Sequence, residues 1–121
     1  MAYKNAWTRG KQKYNAKKTE IDGILFDSKK EARRYSELKI LEKSGIISNL
    51  ELQPSYELQE KFRDRNGKAI RAINYIADFK YYDNERQEIV VEDVKGMKTD
   101  VYNIKKKMFI KKYPEIIFKE I

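Results

Sequence analysis

The stretch from Ala69 to Lys95 constrains the fold more than any other part of the chain. A long β-prone segment, Ala69–Tyr82, runs into a polar turn at Asn84–Gln87 and continues as a second β-prone run, Glu88–Lys95. With the turn placed symmetrically, Asp83 pairs with Glu88, and equal steps outward along both strands bring Asp78 opposite Asp93. Side chains alternate between the faces of a strand, so Asp93 and Lys95 leave the same face. Ile89, Val90, Val91 and Val94 offer apolar groups to both faces, the pattern of a central strand. Two carboxylates directly across a sheet repel one another, and one set between Ala77 and Phe79 is costly to bury unpaired. A cation between Asp78 and Asp93 resolves the conflict. A different loop length would put Glu92 opposite Asp78 instead.

The rest of the chain supplies the partners such a sheet needs. Asp22-Gly23 within Thr19–Phe26 signals a small hairpin. Ser28 with Glu31 three residues later has capping-box spacing and predicts a helix to about Lys43, ended by Gly45, with Tyr35, Leu38 and Leu41 inward. Leu50, Leu52, Tyr56 and Leu58 alternate around Pro54, which marks an edge or a break. Asn66-Gly67 is a hairpin turn. Thr99 or Asp100 caps a second helix to about Lys112, with Val101, Ile104 and Met108 inward, and Glu115–Ile121 forms a last strand after Pro114. The order α-β-β-β-α-β predicts an α/β fold, a mixed sheet flanked by helices.

Length and charge bound the function. With 121 residues the expectation is a single domain, residues 19–121, preceded by a flexible basic arm, residues 1–18. Of the net charge of +8, Lys4, Arg9, Lys11, Lys13, Lys17 and Lys18 supply +6, leaving +2 for everything after Thr19. Trp7 and Tyr14 stand among these cations. Bases interleaved with rings suit nucleic acid, which takes charge at its phosphates and stacking at its bases, although a solvated tail has the same composition. No apolar run is long enough for a membrane span and no signal segment is visible, so a cytoplasmic protein is expected.

The chain has no Cys and no His. Thiol nucleophiles, histidine bases and ordinary zinc sites are therefore excluded, and any metal must be a hard, oxygen-seeking ion such as Mg²⁺ or Mn²⁺. Asp78 and Asp93 holding such an ion, with Lys95 orienting water or stabilising charge at phosphorus, read as a metal-assisted phosphodiester hydrolase. Glu31 enters from the first helix as a further ligand or through a bound water. Each residue also has a structural reading: Glu31 as a capping residue, Asp93 and Lys95 as a strand-end ion pair. Gln53 and Glu92 are candidates to line the site, with a turn hydrogen bond the competing reading for Gln53. Lys98 and Thr99 begin the second helix, where the dipole favours phosphate, though Thr99 can equally be only a cap. Lys105 and the helix's other lysines face either DNA or solvent.

Asp78 followed after a short hairpin by Asp93-Val94-Lys95, with Glu31 on a preceding helix, resembles the PD-(D/E)XK motif of the restriction-endonuclease-like superfamily. The resemblance covers about residues 20–121, and the α-β-β-β-α-β order matches that superfamily's core. More closely, F-D-S-K-K-E-A (26–32), Y-I-A-D-F (75–79) and E-D-V-K-G (92–96) look like a family of small phage-encoded proteins compared with Holliday-junction resolvases and other phage endonucleases. Ala77 stands where the motif's name has Pro. The resemblance implies a Mg²⁺-dependent endodeoxyribonuclease acting on DNA, including branched or recombination intermediates, in a bacterial host's cytoplasm. Cutting two strands symmetrically calls for two active sites and hence a homodimer. Two other readings stay open: a non-catalytic nucleic-acid-binding module, and a phage protein that binds a host protein with the nuclease fold idle.

Overall fold

The computed structural model describes residues 18–121, and these divide into two compact units that meet between Ile40 and Leu41 in the sequence. The arm positions Lys4, Trp7, Arg9, Lys11, Lys13, Tyr14 and Lys17 lie outside the described residues. Among the described residues no helix is long and apolar enough to cross a membrane.

In the first unit, β1 (Thr19–Ile21) and β2 (Ile24–Phe26) form the expected hairpin. Asp22 and Gly23 both adopt positive φ, 54° and 77°, matching the twist of a two-residue hairpin turn. Helix α1 (Lys29–Lys43) starts where Ser28 Oγ accepts the Glu31 N–H at 3.1 Å, the capping role anticipated for Ser28. Its buried residues are Ala32, Tyr35 and Leu38. The Tyr35 ring lies 5.0 Å from Phe26, and its hydroxyl donates to Asp22 Oδ2 at 3.1 Å, tying helix to hairpin.

The second unit opens on the end of α1. Gly45, at φ 82°, donates to the Glu42 carbonyl and Ile46 to that of Leu41, a Schellman arrangement that lets the chain leave the helix. Four strands then form a mixed sheet: β3 (Ile47–Leu52), β8 (Phe79–Asp83), β9 (Glu88–Asp93) and β10 (Ile117–Glu120), in the order β10-β9-β8-β3. β10 runs parallel to β9 and the other pairs are antiparallel. With the two helices, this is a mixed α/β fold.

The break expected at Pro54 is present, and the segment expected as one long strand after the Asn66-Gly67 turn is broken as well. Leu50–Leu58 divides into β3 and β4 (Ser55–Gln59), and Ala69–Tyr82 divides into β6 (Ala69–Ile70), β7 (Ile73–Ile76) and β8. Pro54 is the cause on one side: it has no N–H to donate, and Gln53 before it turns to φ 52°. The partner strand bends with it, because Gln53 N–H donates to the Asp78 carbonyl at 2.9 Å and Ala77 N–H to the Pro54 carbonyl at 3.1 Å. Beyond the bend β4 pairs with β7, and farther out β5 (Phe62–Arg63) pairs with β6 around the Asn66-Gly67 turn. Asp78 thus sits at the corner of a bent hairpin.

Helix α2 (Asp100–Lys112) is capped by Thr99, whose hydroxyl accepts the Tyr102 N–H at 3.1 Å. Its inward residues differ from the expectation. Tyr102 and Phe109 are buried and Met108 is partly so, whereas Val101 and Ile104 remain 62% and 58% exposed. A helical stripe can be drawn through either set at this spacing. The aromatic set wins because α2 packs on β4 and β7, where Phe109 meets Tyr56, Tyr75 and Phe118 and fills the space that smaller aliphatic side chains would leave. With Leu58, Ala77 and Val91 these rings form the core on that side of the sheet.

Candidate active site

The β8–β9 hairpin has the anticipated register. Asp83 pairs with Glu88, the turn occupies Asn84–Gln87, and the ladder ends at Phe79↔Glu92. Asp83 organises the turn through its Oδ1, which accepts the N–H groups of Glu85 at 3.0 Å and Arg86 at 3.1 Å. One step past the ladder's end stand Asp78 and Asp93, where the bend lifts Asp78 off the regular strand. The Asp78 N–H goes to the Glu92 carbonyl, and its Oδ2 accepts the Val94 N–H at 2.6 Å.

Asp93 is fully buried. Its Oδ2 accepts a hydrogen bond from Tyr75, and Lys95 Nζ stands 3.1 Å from its Oδ1, although that oxygen receives no hydrogen bond of good geometry. Lys95 also lies 4.7 Å from the centre of the Tyr102 ring, so the cation is held between a carboxylate and an aromatic face. The strand-end ion pair therefore exists, but Lys95 is turned into the site and is only 29% exposed.

Glu92 is equally buried but belongs to the other face. It pairs with Phe79, two residues from Tyr81 on β8, and its Oε2 accepts the Tyr81 hydroxyl at 2.5 Å. Glu92 thus does not share a face with Lys95, and Asp93 does. Gln53 reaches the site region through its backbone bond to Asp78. Thr99 is the helix cap, while Lys98 Nζ lies 3.3 Å from Glu120 Oε1. Lys105 on α2 is half-buried and Lys18 precedes β1. Glu31 is half-buried in the first turn of α1 in the first unit.

Three residues of this cluster were not anticipated: Tyr75, Tyr102 and Glu120. Tyr102 donates to Glu120 Oε2 at 2.6 Å, and Glu120 Oε1 is flanked by Lys106 at 3.1 Å as well as by Lys98. Burial, above all, pushes the Tyr75 hydroxyl far above its ordinary range, followed by its hydrogen bond to Asp93 and the negative charge of Asp93 and Asp78. Tyr102 is raised in the same way, by burial first, then by its bond to Glu120 and the nearby carboxylates. Both rings stay neutral donors. Glu120 is held down to about 2, first by the Tyr102 hydroxyl and then by the two lysines.

Glu120 is expected to make stability depend on pH. Its folded-state value lies below the ordinary 4.5, so its contribution is present above that pH and is lost as pH falls toward about 2. Glu120→Gln should cost about 1 kcal/mol at neutral pH. Urea unfolding should show the two proteins converging across that acid window. Tyr75→Phe should cost about 1.5–3 kcal/mol, because a buried carboxylate loses a donor. Chemical denaturation at neutral pH in EDTA would measure it.

The donor set suits a hard cation. Asp93 Oδ1 is a buried oxygen whose one neighbour among the ion pairs is Lys95, and a second carboxylate, Asp78, acts with Asp93 on Tyr75 and Tyr102. Among the described residues no group of three His, Cys, Asp or Glu is assembled for a metal. An ion here would be held by two carboxylates and completed by water, which is how Mg²⁺ is commonly bound.

A family model described as protein of unknown function (DUF1064) matches residues 11–121, nearly the whole chain. The chain belongs to the DUF1064 family. The match spans both acids, Lys95, the three unanticipated residues and the end of the basic arm, so the cluster lies wholly within the DUF1064 region. No curated protein and no solved structure matches the chain.

Proposed function

We propose that this DUF1064 protein is a metal-dependent endodeoxyribonuclease, with Asp78, Asp93 and Lys95 at its centre. The observation that carries the reading is the gathering of two carboxylates just past the end of the ladder: Asp78 on the Val94 N–H and buried Asp93 both act on Tyr75 and Tyr102, with Lys95 ion-paired to Asp93. Two carboxylates brought together cost energy unless cations offset them; Lys95 offsets one, and a divalent ion would offset the pair.

Mg²⁺ or Mn²⁺, when bound, supplies Lewis acidity toward the phosphoryl oxygen and acidifies water at the site. Asp78 and Asp93 would hold the ion. Tyr75 fixes the Asp93 carboxylate by donating to its second oxygen. Lys95, braced by the Tyr102 ring, orients the attacking water or stabilises the charge that builds on phosphorus. The Glu120 cluster keeps Tyr102 in place through a hydroxyl bond and two lysines. The part assigned to Glu31 rests on the motif order in the sequence. The proposed substrate is DNA, including branched DNA, and the proposed working form is a homodimer with one site per protomer. A domain this small has little surface for sequence readout, since specific interfaces bury roughly 1,000–2,500 Å², so selectivity for structure is favoured.

A second reading, a DNA-binding module without catalysis, draws on the Lys95–Asp93 ion pair, which already neutralises the buried acid without a metal. Supercoiled plasmid and a four-way junction incubated with Mg²⁺, Mn²⁺ or EDTA separate the two. The nuclease reading expects nicking or resolution with metal and none with EDTA. DNA binding without cutting under either metal would leave the binding module.

A further inference from the structure

The bent hairpin does not end at β4 and β7. Its tip is a short ribbon, β5 paired with β6, in register Phe62↔Ile70 and Arg63↔Ala69. Residues 60–71 carry Lys61, Arg63, Arg65, Lys68 and Arg71 against Glu60 and Asp64, a net +3. Residues 20–121 total only +2, so apart from this ribbon they sum to −1. The ribbon is thus one of the local positive patches outside the basic arm, another being residues 98–112 with a net +5.

The five cations are all exposed, and none is ion-paired among the described residues. Asp64 is occupied within the turn, its Oδ1 accepting the N–H groups of Asn66 at 2.8 Å and Lys68 at 2.9 Å. Alternation along the two strands puts Lys61, Arg63 and Arg71 on one face around the small Ala69. Continuing the register by one step sets Lys61 opposite Arg71. Like charges across a ladder are unfavourable, and an anion between them removes the penalty. On the other face Phe62 is 46% exposed beside Ile70. Lys61, Phe62, Arg63, Ala69, Ile70 and Arg71 together line a concavity of about 390 Å³.

We infer that the β5–β6 ribbon is a duplex-DNA-binding element, with Lys61, Arg63 and Arg71 contacting phosphates. The choice of partner rests on the nuclease reading; the charge and geometry do not. A two-stranded ribbon fits the major groove of B-form DNA, about 12 Å wide, whereas the narrow major groove of A-form RNA shuts it out. Arg71 lies seven residues from Asp78 along the chain, at most about 23 Å if fully extended. At about 3.4 Å per base pair, a duplex spanning ribbon and site covers about seven base pairs.

The test is fluorescence anisotropy of a labelled DNA duplex with the full chain in EDTA across a salt series, comparing wild type, K61A/R63A/R71A and Asp78→Asn. Thermal melting of the ribbon variant should stay close to wild type, since every substituted side chain is exposed and the one bond lost is that from Arg63 to the Gly67 carbonyl at 2.9 Å. Three lost phosphate contacts should flatten the slope of log affinity against log salt by about 2.7. Between about 50 and 200 mM salt the ratio of wild-type to variant affinity then shrinks about 40-fold. Asp78→Asn should bind as wild type or more tightly. An unchanged slope in the ribbon variant overturns the inference, as does failure of the wild type to bind duplex. Equal loss on an RNA duplex overturns the assignment to DNA. Because binding is read without metal, a chain that binds through the ribbon but never cuts would fail the nuclease reading alone.

Discussion

Asp78→Asn is expected to lower metal-dependent DNA cleavage by at least about 10³-fold while leaving the fold intact. The asparagine keeps an oxygen for the Val94 N–H that Asp78 now accepts at 2.6 Å, so the corner of the hairpin is preserved and only the charge is lost. At 1.36 kcal/mol per tenfold, such a loss is about 4 kcal/mol, the several kcal/mol a metal supplies to a transition state. In EDTA the variant should be no less stable than wild type, because it relieves the opposition to Asp93. Lys95→Ala should cost about 10²–10³-fold, the usual effect of removing one group that stabilises developing charge. A single-turnover time course on supercoiled plasmid measures both. Equal rates in wild type and Asp78→Asn would remove Asp78 from the chemistry.

Phe109→Ala is expected to have the largest effect on stability, about 3–5 kcal/mol. Phe109 is fully buried, and its ring lies 4.9 Å from Tyr56, 5.2 Å from Tyr75, 5.4 Å from Tyr113 and 5.8 Å from Phe118. It fastens α2 to β4, β7 and β10 at once. Domains of this size have about 5–15 kcal/mol in total, so the variant should melt well below wild type and near the limit of folding. Because Tyr75 packs on Phe109 and donates to Asp93, cleavage should fall even where the variant remains folded. Circular-dichroism melts with wild type alongside would check the first effect. A loss under about 1 kcal/mol would mean the aromatic cluster repacks.

The sequence was legible where local rules apply. Asp22-Gly23, Ser28, Gly45 and Thr99 mark turns and caps through their own backbone chemistry, and the structure places each where those rules put it. The Asn84–Gln87 turn was enough to set the β8–β9 register from Asp83↔Glu88 to Phe79↔Glu92. Tyr75 was hidden by the bend. In a straight strand residues 75 and 78 point to opposite faces, and only the corner at Ala77–Asp78 brings Tyr75 under the charge of both Asp93 and Asp78. Glu120 was hidden by topology: it lies beside Asp93 through the parallel pairing of β10 with β9, and a helical crossover gives no turn from which to count register. Val101 and Ile104 misled because helical spacing identifies a stripe but not which stripe faces the core. The aromatic residues of α2 decided that by their size.

Everything proposed for catalysis depends on Asp78 and Asp93 sharing one divalent ion. Calorimetric titration of Mn²⁺ into the full chain at neutral pH, without DNA, tests this directly, with wild type beside Asp78→Asn and Asp93→Asn. The expected result is a site in the wild type that either substitution weakens at least about tenfold, a loss of about 1.4 kcal/mol. A wild type that takes up no ion at millimolar concentration, or variants that bind it as tightly, would contradict the assignment of these two acids.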